Sequence, residues 1–333
     1  MSLREIWKFY LISSERLEHM ILGLGTAALG RPQYINIREK QSISDDLEVF
    51  KKQSLTVLEN AYKGGVRYFD TAPGYGLAEK LLFEWLQTKN DESIEVATKW
   101  GYTYVANFVA NAKIHEIKEH SLKKLNEQWD VSNAFLPRLK VYQIHSATLE
   151  TGVLENEAVL DRLAFLKNES NVQIGITTTG ANQVEVINRA LDVSVEGNQL
   201  FDAFQVTYNM LDQSLNNISK DLQKQNKKIL IKEALANGRV FRNDNYTHYN
   251  GLYTLLESLA NKYKVGIDAI SLKFCEQTIS GSMILSGASN LKQLEENLKM
   301  NSIVLAENDI EKLKAFRINE ELYWQERKQL RWN

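Results

Sequence analysis

Asp70 and Tyr75 are the residues best placed to do chemistry, in the stretch Val66-Arg67-Tyr68-Phe69-Asp70-Thr71-Ala72-Pro73-Gly74-Tyr75-Gly76. A short apolar run suited to a buried strand ends in a carboxylate, and Pro73, Gly74 and Gly76 limit where the following phenol can point. Lys99 and His145 stand at the ends of two further apolar runs, Ile94 to Thr98 and Leu139 to Ile144. Singly, each has an ordinary structural account: Asp70 caps a turn, Tyr75 packs, Lys99 is a solvated strand-end charge and His145 a satisfied histidine. Ionisable groups gathered at the same end of three successive strands resist that account, because buried charges are costly unless paired.

Together they make chemical sense. A phenol with an ordinary pKa near ~10 exchanges protons poorly at neutral pH. A lysine cation about 4 Å away favours the phenolate by ~4 kcal/mol at an effective dielectric of ~20, or about three pKa units. Asp70 would pair with Lys99 and fix it, and His145 would orient a carbonyl or alcohol oxygen beside the phenol. Such a set protonates an oxygen while another group delivers hydride. No side chain donates hydride, so a cofactor is implied.

The elements that must position these groups alternate along the chain. A helix from Asp45 closes at Gly64-Gly65 and leads to the strand Val66 to Phe69. Helix Ala78 to Thr88 precedes the strand ending at Lys99, and a long helix from about Ala106 to Trp129 precedes the strand ending at His145. Further helix and strand pairs follow: Glu155 to Lys167 with Val172 to Ile176, Asn182 to Leu191 with Ala203 to Thr207, and Ser214 to Lys224 with Ile229 to Ile231. Helices at Leu252 to Tyr263 and Ile267 to Gln277 precede Met283 to Leu285. With Ile21 to Leu24 these make eight buried-strand candidates, which predicts a closed (β/α)8 TIM barrel whose reacting groups sit at the C-terminal strand ends. No composition break divides it, so residues 1–333 read as a single barrel domain. Phe9 to Ile12 and His19 to Leu24, around Ser13-Ser14-Glu15-Arg16, suggest an N-terminal β-hairpin. Arg31 to Ser44 reads as a polar excursion.

Composition narrows the partners. The chain has 333 residues, a net charge of -2 and a pI near 6.3, so no global basic field attracts nucleic acid or an anionic membrane. The single cysteine, Cys275, excludes an internal disulfide and fits a reducing compartment. No apolar run approaches the ~20 residues that span a bilayer, and the start lacks the apolar stretch of a signal peptide, which makes the cytoplasm the expected location. His115 and His120 lack the spacing of a zinc-protease pair and are expected on a helix surface, and no metal site is expected. Gly23-Leu24-Gly25-Thr26-Ala27-Ala28 fits G-x-G-x-x-A after a strand, but Arg31-Pro32 follow where a dinucleotide-binding helix should begin.

The motifs LGLGTAALG, GVRYFDTAPGYG, VATKWG, YQIHSAT, IGITTTG, FQVTYNM, EALANGRVF and LSGASNLKQLEEN occur in order between Leu22 and Asn297. In this they resemble the aldo-keto reductases. The resemblance implies that Tyr75 is the general acid/base, that Lys99 lowers its pKa, that Asp70 supports Lys99 and that His145 orients the substrate, an aldehyde, ketone or sugar. It also implies a nicotinamide cofactor, usually NADPH, bound without a Rossmann domain, with Gly25 and Thr26 in a cofactor-contacting segment. Gln205 corresponds to a glutamine that bonds the carboxamide. Thr177-Thr178 stand where Ser-Asn is common, which keeps a hydroxyl and loses an amide. Lys232-Glu233-Ala234 stand where many members place a stacking aromatic, and Lys232-Glu233 also read as an ion pair at the rim.

The segment Ser286 to Asn290 and the helix after it can present N–H groups to phosphate. The resemblance brings Ser289 and Gln293 to the adenosine phosphate, and Glu296 and Asn297 to the adenine. Gly287 and Gln293 replace the cations that mark NADPH preference in many members, leaving Arg239 or Arg242 to supply one. The expected cofactor is NADP(H), with NAD(H) open. The same pattern resembles the branch containing the potassium-channel β subunits, so the alternative reading is a redox-slow, cofactor-binding regulatory subunit or sensor. A cofactor-free barrel hydrolase or lyase is disfavoured by the lack of a metal-ligand cluster or paired carboxylates at the strand ends. The oligomeric state is not legible in the sequence.

Overall fold

The strands of the computed structural model, which describes residues 21–32, 46–109 and 112–330, are, in chain order, β1 (Leu22–Gly25), β2 (Tyr68–Asp70), β3 (Glu95–Trp100), β4 (Tyr102–Tyr104), β5 (Glu116–Lys118), β6 (Leu139–Ala147), β7 (Gln173–Thr178), β8 (Ser194–Val195), β9 (Asn198–Gln199), β10 (Ala203–Thr207), β11 (Lys228–Lys232) and β12 (Met283–Ser286). Eight of them close into a parallel barrel in the order β1-β12-β11-β10-β7-β6-β3-β2, while β4 with β5 and β8 with β9 form antiparallel ribbons. The predicted (β/α)8 barrel is therefore the observed fold. The expected N-terminal hairpin and most of the polar excursion lie outside the described residues.

Inside the barrel, Tyr68, Ala97, Val141, Ala203, Leu230 and Leu285 form an apolar plug separate from the main core. Strand side chains alternate with a period of two, so two residues further on the same strands turn Asp70, Lys99, Gln143, Gln205 and Lys232 to the same inner face. A polar layer thus sits on the plug at the C-terminal mouth. Outside the barrel, the helix Leu47–Lys63 starts where Asp46 accepts from the Glu48 and Val49 N–H groups, and it stops at Gly64 before Gly65 turns the chain at φ 94°.

The long helix expected from Ala106 to Trp129 does not form. Tyr102–Tyr104 and Glu116–Lys118 pair instead as a hairpin over the barrel mouth, with Tyr102 opposite Lys118 and Tyr104 opposite Glu116. Asn107 and Phe108 adopt positive φ, 47° and 63°, which ends any helix there. Helix begins only at Leu122, where the Ser121 hydroxyl accepts from the Lys124 N–H at 3.1 Å. The expected helix Ser214 to Lys224 is also broken, into a 3-10 turn Ser214–Asn217 and a short helix Ser219–Lys224.

Candidate active site

The polar layer converges on Asp70. Its Oδ2 accepts from Lys99 Nζ at 2.5 Å, and its Oδ1 accepts from Gln205 Nε2 at 2.8 Å and Gln143 Nε2 at 3.2 Å. Lys99, fully buried, also donates to the Thr71 carbonyl at 2.9 Å, and its Nζ lies 4.8 Å from the Tyr75 ring centroid. The Tyr75 hydroxyl lies 3.4 Å from His145 Nε2. The four residues singled out for proton chemistry are thus brought together. Burial pushes the Lys99 ammonium below its ordinary pKa, against the pull of Asp70 and Glu79.

The Tyr75 loop is held by residues just after β1. Pro73–Tyr75 form one 3-10 turn, ended by Gly76 at φ 64°. Gly30 packs so closely that a Cβ there would stand 1.8 Å from the Tyr75 carbonyl oxygen, and its own carbonyl accepts from the Leu77 N–H at 2.8 Å. Arg31, also buried, donates through Nη1 to the Gly74 carbonyl and to Glu116 on the hairpin, both at 3.0 Å. Its guanidinium lies 5.7 Å from the Tyr75 ring centroid and 5.6 Å from that of Tyr104.

His145 owes its direction to a local irregularity. The β6–β7 register shifts between Ile144 and Ala147, Ser146 takes φ 54°, and its N–H donates to Thr177 Oγ1 at 2.7 Å. His120 Nε2 lies 2.9 Å from the His145 carbonyl, and the Tyr102 and His145 ring centroids are 4.7 Å apart. Burial, then the charges of Lys99, Arg31 and Lys232, hold the His145 imidazole well below its usual pKa, so it is neutral at physiological pH. His115 and His120 are not on a helix surface as expected. His115 is buried beside the hairpin, and His120 packs against Trp100, its pKa lowered by burial to about 4.

A cleft with about 1100 Å³ of open space leads from Tyr75, Asp70 and Gln205 past Lys232 to Ser286, Gln293 and Asn297. Gly25 lines it as well. Thr26 is buried and staples β1 to β2, its hydroxyl donating to the Asp70 carbonyl at 3.0 Å. Thr178 points away from the cleft and donates to Gln183 Oε1 at 3.2 Å. Thr177 faces the mouth, but its oxygen is already engaged by Ser146.

At the far end, Ser289 turns onto Gln293, which accepts from its N–H at 2.9 Å and its hydroxyl at 3.0 Å. Glu296 pairs with Lys299 at 2.5 Å. Asn297 lies 2.7 Å from Ser286 Oγ, and with its amide oxygen on that hydroxyl its nitrogen donates to the Gln293 carbonyl and to Asp268, each at 3.1 Å.

Three expectations fail here. Arg239, expected to offer a cation to the cofactor, is fully buried against the C-terminal helix Glu320–Gln329, where Nη1 bonds Glu326 and the Tyr323 carbonyl, both at 3.1 Å. Arg242 is clasped by both carboxylate oxygens of Glu257, at 2.8 and 2.9 Å. The rim ion pair of Lys232 and Glu233 is absent as well. Glu233 accepts from Arg327 Nε and Nη2, both at 3.2 Å, which with Lys232 and Arg239 nearby holds its carboxyl at about 2 despite burial.

Sequence reasoning missed Arg31, Gln143, Glu79 and Asp268. Gln143 was within reach, since it lies two residues before His145 on one strand and so shares its face. Glu79 had no local signal. It lies in the first turn of the helix Ala78–Leu86, where its Oε1 accepts from Thr98 Oγ1 at 2.5 Å and Ser132 Oγ at 3.0 Å, and burial raises it to about 7.

Comparisons with known proteins bear on the fold and the family. The profile described as "Aldo/keto reductase family" matches residues 21–318. A D-threo-aldose 1-dehydrogenase from Pseudomonas sp. is 44% identical over 63 residues, a match that spans 18% of this chain and only 17% of that protein. The glycerol dehydrogenase of Gluconobacter oxydans superposes with a TM-score of 0.66 at 18% identity, covering 89% of this chain and 90% of the other. An aldo-keto reductase from Bacillus halodurans gives a TM-score of 0.64 at 18% identity, covering 90% and 94%. These two likenesses concern the fold. With the profile matching nearly all of it, the chain belongs to the aldo/keto reductase family.

Proposed function

We propose that this oxidoreductase transfers hydride between NADP(H) and the carbonyl or alcohol of an aldehyde, ketone or sugar, with Tyr75 as the general acid/base. The observation that carries the reading is the contact set of Tyr75, Lys99, Asp70 and His145. The residues along the cleft fit a nicotinamide cofactor: Gln205 lines its reacting end, Ser286, Gln293 and Asn297 line its far end, and a Cβ at Gly287 would meet nothing within 4 Å, leaving room for a ligand against the backbone. The cofactor, when bound, supplies the hydride that no side chain can give.

This chain's own part is the proton. In the reducing direction the Tyr75 hydroxyl gives its proton to the substrate oxygen, and in the oxidising direction the phenolate takes it back. Lys99 stabilises the phenolate: a unit charge about 5 Å away is worth roughly 3 kcal/mol at an effective dielectric of about 20. Asp70 offsets part of that field, but it keeps a desolvated lysine charged and aimed. His145, neutral, donates from Nε2 to the substrate oxygen and keeps that oxygen beside the phenol.

The lean to NADP(H) rests on the resemblance alone, since Arg239 and Arg242 are engaged elsewhere. The partial likeness to an aldose 1-dehydrogenase supports a sugar hemiacetal among the substrates. We place the activity in the cytoplasm, with the whole chain acting as one barrel unit. The test is a panel of aldehydes, ketones and aldoses assayed with NADPH, NADH, NADP+ and NAD+. Tyr75→Phe should abolish turnover while still quenching cofactor fluorescence. Turnover unchanged by that substitution, or no oxidation of either reduced cofactor with any carbonyl, would remove the reading.

A further inference from the structure

Lys232 occupies the same polar layer as Asp70, Lys99, Gln143 and Gln205, yet it is bound differently. Its Nζ donates to Thr207 Oγ1 at 2.9 Å and stands 5.8 Å from the Trp324 ring centroid. Among the described residues it forms no ion pair. The other cations around the cleft do: Lys99 with Asp70, Arg31 with Glu116, Arg239 with Glu326 and Arg327 with Glu233.

The carboxylates near Lys232 are already engaged. Glu233 is held by Arg327 and by the Tyr323 hydroxyl at 3.3 Å. Asp212 accepts from Trp324 Nε1 at 3.2 Å and from the Ser214 hydroxyl at 2.6 Å. Lys232 is half-buried on the wall of the cleft, so its ammonium is partly withdrawn from water with no counter-ion beside it among the described residues, which is costly. The same partial burial pushes its pKa down. A ligand that brings an oxygen anion to Nζ would relieve that cost. Because Lys232 lies on the inner face of the mouth and its charge acts on His145, the subsite adjoins the reacting end of the cleft.

We propose that Lys232, with the Thr207 hydroxyl and the Trp324 face beside it, forms an oxyanion subsite of the cleft that takes a carboxylate or phosphate carried by a ligand. The same chemistry has two sources, a carboxylate on the carbonyl substrate or a phosphate of the cofactor. Only the choice between them rests on the hydride-transfer reading.

The experiment has a binding arm that needs no turnover. The full chain is titrated with malonate and with inorganic phosphate at constant ionic strength, following thermal stability and tryptophan fluorescence. Saturable binding is expected, weakened about tenfold or more in Lys232→Met and restored to within about threefold in Lys232→Arg, as the loss and return of a charge-assisted bond require. The second arm assigns the source, using 4-oxobutanoate and butanal, aldehydes that differ by a terminal carboxylate. A substrate anion makes Lys232→Met raise KM for the acid about tenfold more than for butanal, whereas a cofactor anion makes it weaken NADPH binding by that factor. Either outcome supports the subsite. Malonate and phosphate binding no stronger than chloride in the parent chain, or unchanged in a folded Lys232→Met, would overturn it. A failed Tyr75→Phe test would leave the anion titration standing.

Discussion

Lys99 Nζ is shared between Asp70 Oδ2, 2.5 Å away, and the Tyr75 ring, whose centroid is 4.8 Å away. The lysine lies over the ring that carries the proton-transfer hydroxyl while it holds its own counter-ion. Lys99→Met should therefore lower kcat by ~10²–10⁴, the usual worth of a positioned proton-transfer group. The pH at which the oxidising direction reaches half its maximum should move upward, because the phenolate loses its cation. Cofactor binding, followed by fluorescence quenching, should persist. A pH profile of unchanged position would remove Lys99 from that role.

The clamp of Arg31 on the Gly74 carbonyl is the second connection that matters, because it ties the Tyr75 loop to Glu116 on the hairpin. Arg31→Met should lower kcat by roughly tenfold or more, since a misplacement of about 1 Å at a reacting group costs up to ~10²-fold. Arg31→Lys keeps the charge but carries it as a compact ammonium on a stem of different reach and without the planar face that lies against Tyr75 and Tyr104, so it should restore only part of the loss. Steady-state kinetics of the two variants, beside their melting temperatures, separates misplacement from unfolding.

The barrel was legible because its signal is local: short apolar runs alternating with helices, each run ending at a chemically distinctive residue. The four-residue proton set was legible for the same reason. The hairpin was not. Ala106, Val109, Ala110, Ile114 and Ile117 carry the spacing of a helix, and only tertiary pairing of Tyr102–Tyr104 with Glu116–Lys118 decides otherwise. Arg239 was misread because a lone arginine after β11 gives no hint that Glu326, 87 residues later, will claim it. Thr178 was misread by one step of strand alternation, since Thr177 faces the mouth and its neighbour therefore cannot.

Arg239 yields a prediction that separates the two accounts of it. A cofactor-phosphate cation would, on removal, change the ratio of NADPH to NADH affinity. The observed geometry instead makes Arg239→Met strip a partner from buried Glu326, which keeps, among the described residues, the Tyr249 hydroxyl at 2.7 Å and His248 at 2.9 Å. Breaking a buried ion pair from one side costs about 3–5 kcal/mol. Denaturant unfolding should record that loss, with the NADPH to NADH affinity ratio unmoved.

Glu79 supplies a prediction in pH. Its carboxyl lies behind β3, and burial raises it from the ordinary 4.5 to about 7, against the hydrogen bonds of Thr98 and Ser132. The folded state therefore holds a proton that the unfolded state has released. Below about pH 4.5 both states are protonated and the group contributes nothing to the pH dependence. Between about 4.5 and 7 stability falls as pH rises, and above that the loss is complete, at roughly 3 kcal/mol for a shift of this size. Glu79→Gln keeps an oxygen for both hydroxyls and removes the ionisation. It should flatten the stability profile across that window and make the variant more stable than the parent at pH 8, by up to ~3 kcal/mol. Urea unfolding at pH 5, 6.5 and 8 checks this, and parallel profiles for parent and variant would show that Glu79 does not titrate in the window.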